Sequence, residues 1–242
     1  QKSKNRRYNT IIDYTTDYLV SLGIHCFYCG IECKFGYSIP INDPDTLSYD
    51  KKDPGIGYIK ENVVISCWFC NRMKNITNYK DWEQFISFIK NKEITILDIS
   101  NKVYAKSASS LKISSMIHGI RRQSPIYYPN TEIPKQIFKK LCQQQNYLDP
   151  YFKFFPIIYL ETNCLLNASI DAVNTSLPKS EKHRPDNLQI VPKCFNFGKN
   201  TDSDQEFMEA WKVRAFKTDF TGCSIKYPEG YHEQSYFHNY VL

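Results

Sequence analysis

Residues Ser48 to Lys74 read S-Y-D-K-K-D-P-G-I-G-Y-I-K-E-N-V-V-I-S-C-W-F-C-N-R-M-K. Tyr49–Lys51 and Val63–Ser66 are short strand candidates, and the Pro54-Gly55-Ile56-Gly57 turn joins them. A helix is expected to begin at Cys70 or Asn71. The same order recurs from Ser169 to Lys199, S-I-D-A-V-N-T-S-L-P-K-S-E-K-H-R-P-D-N-L-Q-I-V-P-K-C-F-N-F-G-K. Asn62 lies nine residues before Asn71, and Asn187 nine before Asn196. Lys74 and Lys199 each follow by three, and Trp82 and Phe207 each by eleven. Ser48-Tyr49-Asp50 matches Ser169-Ile170-Asp171, with about four extra residues in the second turn. Agreement at this many fixed offsets predicts an internal repeat.

The two copies differ in cysteine. Cys26 and Cys29, then Cys67 and Cys70, form two C-x-x-C pairs. Four thiolates in two tight turns are the ligand set of a closed, structural zinc site, with Cys33 as a substitute ligand. In the second copy Pro192 and Phe195 stand where Cys67 and Cys70 stand in the first, so no comparable site is expected there. Cys164 and Cys194 read as plain buried thiols. Nine cysteines in all is an odd number. That argues against a disulfide framework and for a reducing compartment (cytoplasm, nucleus or organelle matrix) rather than secretion.

The 242 residues carry a net charge of +6, which suits a nucleic-acid partner without requiring one. No apolar run reaches the length of about 18 residues that a membrane span needs. Gln1 is not an initiator methionine and no apolar signal core follows it, so a trimmed or partial chain is expected rather than a signal peptide.

Outside the repeats, helices are expected at Tyr8–Leu22, ended by Gly23, and at Ile133–Asn146, with Pro134 in its first turn. Further helices are expected from Asp81, with Trp82, Phe85, Ile86 and Ile89 on one face, and over Gln205–Phe216. Glu93–Ser100 and Pro156–Leu160 are strand candidates. Ala108–Arg121 is a candidate helix within a polar, basic linker. Gln1–Arg7 reads as a surface arm. The resulting division is residues 1–92, a linker at 93–132, a second module at 133–217 and an aromatic tail at 218–242.

The strand, the Gly-Tyr turn, N-V-V-x-x-C-x-x-C-N-x-x-K and the upstream C-x-x-C together resemble the HNH endonucleases, the ββα-metal or His-Me finger nucleases. The resemblance covers residues 26–88 well and 133–216 more weakly. It implies an α+β fold of two ββα-metal modules in tandem, the first zinc-stapled, joined by a partly helical linker. It also implies a divalent cation, Mg or Mn, between a strand residue and a helix residue. Carried over by position, Asp50 and Asn71 are the metal ligands and Asn62 the orienting amide. Lys74 approaches a phosphate. The second copy offers Asp171, Asn187, Asn196 and Lys199.

The family's usual strand histidine is replaced by Lys51 here and by Ala172 in the second copy. A lysine at its ordinary pKa is protonated at neutral pH and cannot take a proton. His25, Tyr28 or Tyr58 would have to supply the base, or His183 in the second copy. Two expectations follow. One is a metal-dependent endonuclease acting through the first module, with Lys51, Lys52, Arg72 and Lys74 on phosphates of DNA or RNA. The other is an inactive HNH-derived platform that binds nucleic acid or other proteins in a large assembly, such as an organellar ribosome or a viral particle. The residues also have a purely architectural reading, because Asp and Asn at turns and helix starts bond backbone amides.

Overall fold

Val63-Val64-Ile65-Ser66-Cys67 is β-branched and apolar, and all five residues are buried in a strand. The computed structural model describes residues 12–13, 15–40, 42–91, 96–98, 119–122, 125–128, 132–157 and 164–226. In chain order the elements are β1 (Ile12–Asp13), α1 (Thr16–Ser21), β2 (Leu47–Lys51), β3 (Tyr58–Ile59), β4 (Val63–Cys67), α2 (Trp68–Lys74) and α3 (Tyr79–Lys90). Then come β5 (Ile96–Asp98), helical residues 119–122 (α4), α5 (Glu132–Gln144), β6 (Ala168–Ala172), β7 (Leu188–Pro192), α6 (Lys193–Lys199), α7 (Asp204–Val213) and β8 (Ser224–Lys226).

The repeat is visible in the hydrogen-bond register. β2 pairs antiparallel with β4, so that Asp50 lies opposite Val64. β6 pairs antiparallel with β7, and Asp171 lies opposite Gln189. Each second strand runs straight into a helix of seven residues, α2 or α6. Both helices stop at an asparagine with positive φ, Asn75 at 49° and Asn200 at 55°. Asparagine tolerates that left-handed turn better than most residues, because its short side chain can bond locally. Asn78 and Ser203 then cap α3 and α7.

The two hairpin–helix units share one core. Phe85 of α3 packs on Phe195 of α6, with ring centroids 6.5 Å apart, and Phe207 of α7 packs on Phe69 of α2 at 5.6 Å. Each unit's second helix therefore reaches the other unit's first. At the centre, a Cβ on Gly198 would stand 2.4 Å from Met73 Cγ. Gly198 follows Asn196 by two residues, as Met73 follows Asn71. A residue that meets its own counterpart lies near the axis of a two-fold pair. Phe69, Phe85, Phe195, Phe207, Trp82 and Trp211 are all buried in this one cluster. A side chain of this size contributes roughly 1.5–3 kcal/mol on burial.

Several expectations need correction. Ile12–Asp13 is a strand, parallel to β3, and the helix is only Thr16–Ser21. The side chain of Tyr18 holds it to the hairpin turn by donating to the Lys60 carbonyl. α2 starts at Trp68, before Cys70, because the Cys67 sulfur caps it by accepting from the Cys70 amide. In the tail, to which the sequence assigns no element, β8 pairs parallel with β5. Pro156 forms an isolated bridge with Leu148, while 158–160 lie outside the described residues, as do the Gln1–Arg7 arm and most of the linker. All nine cysteines are free. Among the described residues no helix is long and apolar enough to cross a membrane.

Candidate metal centre

Cys26 and Cys29 sit in a tight turn. The Cys26 amide donates to the Ile31 carbonyl and the Gly30 amide to the Cys26 carbonyl, both at 2.8 Å. Gly30 has φ 84°, which a residue with a Cβ adopts poorly. The Phe27 amide donates to the Ile65 carbonyl at 2.9 Å and fastens this turn to β4, where Cys67 ends the strand. Cys70 follows one helical turn later. The Sγ atoms of Cys26, Cys29, Cys67 and Cys70 all lie within 4.8 Å of one another. Cys29 and Cys67 are 3.8 Å apart, sulfur to sulfur. Zn–S bonds of about 2.3 Å in a tetrahedron place the sulfurs about 3.8 Å apart, so the four side chains fit a structural zinc ion. Cys33 stays outside, its sulfur 3.9 Å from the Ile31 carbonyl, and burial pushes its thiol up to about 12.

Hydrogen bonds from Cys29 and the other two cysteines hold Cys26 far below the usual thiol range, while burial pushes Cys70 up. Arg214 completes the surroundings. Its Nε lies 3.4 Å from Cys67 Sγ, and its Nη2 donates to Asp45 Oδ1 at 2.7 Å. Burial works against the charge of Arg214, but Cys67 beside it outweighs this and raises its pKa.

The second unit closes the same place without thiolates. The His25–Glu32 bridge around the first turn has its counterpart in the Leu148–Pro156 bridge. Counted from these bridges, Asp149 stands where Cys26 stands, Tyr151 where Tyr28 stands, and Phe152 where Cys29 stands. The Asp149 carboxylate accepts from the amides of Tyr151, Phe152, Phe154 and Phe155 at 2.7–3.0 Å. Phe152 packs edge-on against Phe195, with centroids 5.6 Å apart. A carboxylate-centred turn and an aromatic pair thus replace a four-thiolate cluster. The sequence signal for this, D-x-Y-F-x-F-F from Asp149, shows its meaning only once the two turns are aligned.

The acidic residues of the two hairpins are both buried and both ion-paired. Asp50 Oδ2 accepts from Tyr28 Oη at 2.5 Å and lies 3.1 Å from Lys74 Nζ. Lys74 also donates to the Lys51 carbonyl at 2.6 Å, and its side chain is wholly buried. Asp171 Oδ2 meets Lys199 Nζ at 2.7 Å, and Lys199 also reaches Asp204 Oδ1 at 2.7 Å and the Ala172 carbonyl at 2.6 Å. Burial pushes both aspartates above the usual carboxylate range, opposed by the lysines. The resemblance implies that Lys74 approaches a phosphate. Its ammonium is instead enclosed by oxygens of its own hairpin.

The asparagines bond the backbone in both units alike. Asn62 Oδ1 accepts from the Asp53 amide at 2.8 Å, and Nδ2 donates to the Asp53 and Gly57 carbonyls at 2.9 Å. Asn187 does the same with Asn174 and the Lys182 carbonyl. Asn71 donates to Ser48 Oγ and the Tyr49 carbonyl, and Asn196 donates to Ser169 Oγ and the Ile170 carbonyl. Of the remaining candidates, Arg72 is buried and bonds Asp202 at 3.2 Å, away from the phosphate role expected of it. Lys51 is half-buried over the Tyr58 ring, Lys52 is half-buried, and His25 is exposed. Tyr28 touches Asp50, but burial and the Asp50 charge raise its pKa, which opposes a role as base. Burial lowers the pKa of His183.

The chain matches no protein-family model, no curated protein and no solved structure.

Proposed function

We propose that the chain is a nucleic-acid-binding scaffold of HNH type whose two hairpin–helix units no longer run phosphodiester hydrolysis. The observation that carries this reading is the burial of both hairpin aspartates against a lysine ammonium. In the family the strand acid holds a divalent cation, and the cation clamps the scissile phosphate. Here Lys74 and Lys199 put a positive charge within 3.1 and 2.7 Å of Asp50 and Asp171. A tethered ammonium satisfies the carboxylate but offers no open coordination position to substrate or water. The loss of the strand histidine at Lys51 and Ala172 agrees with this, and Asn62, Asn71, Asn187 and Asn196 are engaged as fold-holding groups.

Binding rests on the net charge of +6 and on cations at the turn end of the first hairpin, Lys51, Lys52 and the exposed Lys60. Phosphate contacts of this kind weaken steeply with salt. A second reading is a protein-binding component of a larger assembly. It is favoured by Phe35 and Tyr37, large apolar residues both exposed on one loop.

The test is fluorescence anisotropy of labelled duplex DNA and RNA over a salt series, with parallel incubation of plasmid and RNA in Mg²⁺ or Mn²⁺. Salt-sensitive binding without cutting is expected. Metal-dependent cuts that vanish in an Asp50→Ala, Asn71→Ala variant would restore the nuclease. Absence of salt-sensitive binding would leave the assembly reading.

A further inference from the structure

Arg214 is the residue by which the second unit enters the metal centre of the first. It follows α7, and its guanidinium is wholly buried. Every nitrogen of the fork has a partner: Nε faces Cys67 Sγ, Nη1 donates to the Ala210 carbonyl at 2.6 Å, and Nη2 donates to the Pro44 carbonyl and Asp45. The plane lies over the Phe69 ring, 4.5 Å from its centroid. Asp45 and Pro44 belong to the loop before β2, Cys67 and Phe69 to the first hairpin and α2, and Ala210 to the second unit.

Four thiolates around one Zn²⁺ carry a net charge of about −2. Leaving such a charge buried and uncompensated is costly. Among the described residues, Arg214 is the cation in contact with a ligand sulfur. Its counterpart in the first unit is Ile89, which stands eleven residues after Asn78 as Arg214 stands eleven after Ser203. Ile89 is apolar and fully buried, and among the described residues the second unit has no thiolate cluster to neutralise. The charge occurs only on the side where it has work to do. Groups bonded to metal ligands orient them and tune their basicity.

We propose that Arg214 is a positioning residue of the zinc centre, so that zinc binding by the first unit and docking of the second are one coupled equilibrium. Coupling of this kind is reciprocal: docking raises zinc affinity, and zinc holds α7 in place. The proposal stands apart from the nucleic-acid reading, because neither its argument nor its test involves DNA or RNA.

The test uses the full chain. Zinc affinity is measured by competition with a chromophoric chelator for wild type, Arg214→Met and Arg214→Lys. Cobalt substitution reports the thiolate-to-metal absorption of each. Arg214→Met is expected to lose at least about tenfold in affinity. Arg214→Lys, which keeps the charge but not the fork, is expected to fall between the two. Hydrogen exchange of the wild type before and after chelation needs no variant. Protection is expected to fall in Asp204–Val213 together with residues 24–33. A wild-type chain that takes no zinc, a loss of twofold or less in a folded Arg214→Met, or protection lost only around the two cysteine turns would each overturn the proposal.

Discussion

Lys199 shows how a single residue can hold a unit together. Its ammonium is enclosed by Asp171, Asp204 and the Ala172 carbonyl. Lys199→Met strands two carboxylates, and removing one partner of a buried pair is expected to cost about 3–5 kcal/mol in denaturant unfolding. Adding Asp171→Asn should return part of that loss; no recovery would show that the pair is not the source. Asn187 is buried with three bonds inside one turn, so Asn187→Ala should cost about 1–3 kcal/mol. The sequence placed these residues at the right offsets but could not say what they touch. A lysine three residues after an asparagine looks like a surface cation until the hairpin closes over it.

At the scale of elements, α7 begins with a full capping box. Ser203 Oγ accepts from the Glu206 amide, and the Ser203 amide donates to Glu206 Oε2 at 2.7 Å. Ser203→Ala should cost about 1 kcal/mol. The Ser203 amide, with its hydroxyl, also holds the Glu206 carboxyl below its ordinary 4.5. A depressed carboxylate contributes stability above its unfolded pKa and loses it as pH falls through the folded value. The difference between wild type and Glu206→Gln should therefore be full at neutral pH and shrink as the pH falls below about 4.5; a difference that stays constant in acid would argue against the box. The β2–β4 and β6–β7 hairpins and the helices α3, α5 and α7 were legible from apolar spacing and turn residues. The sulfur cap of α2, the short strand at Ile12–Asp13 and the β5–β8 pair were not. The cap is local but uses a thiol where Ser, Thr, Asp or Asn is usual, β1 has only two residues and a distant partner, and β5 lies within the strand candidate Glu93–Ser100 but pairs with a strand far away in sequence.

For the whole molecule, the largest core cluster draws on both units, and unfolding by denaturant should be a single transition seen alike by tryptophan fluorescence and circular dichroism. Separate transitions would mean separate domains. The contact between Gly198 and Met73 gives a sharper check. Gly198→Ala presses a methyl into Met73 and should cost about 1–3 kcal/mol. Met73→Ala makes room for it, so the double variant should be more stable than the sum of the two losses; strict additivity would mean the helices do not meet there. The repeat itself was readable from fixed offsets. The docking of its copies was not, because Gly198 and Met73 look unrelated until α2 and α6 are in contact.

The most direct measurement is native mass spectrometry of the purified chain with and without chelator. The account predicts one zinc ion per chain, lost in Cys67→Ser and retained in Cys194→Ser, because the second unit has Asp149, Phe152, Pro192 and Phe195 where the first has its four thiolates. No bound zinc, or a second ion that survives Cys67→Ser, would contradict it.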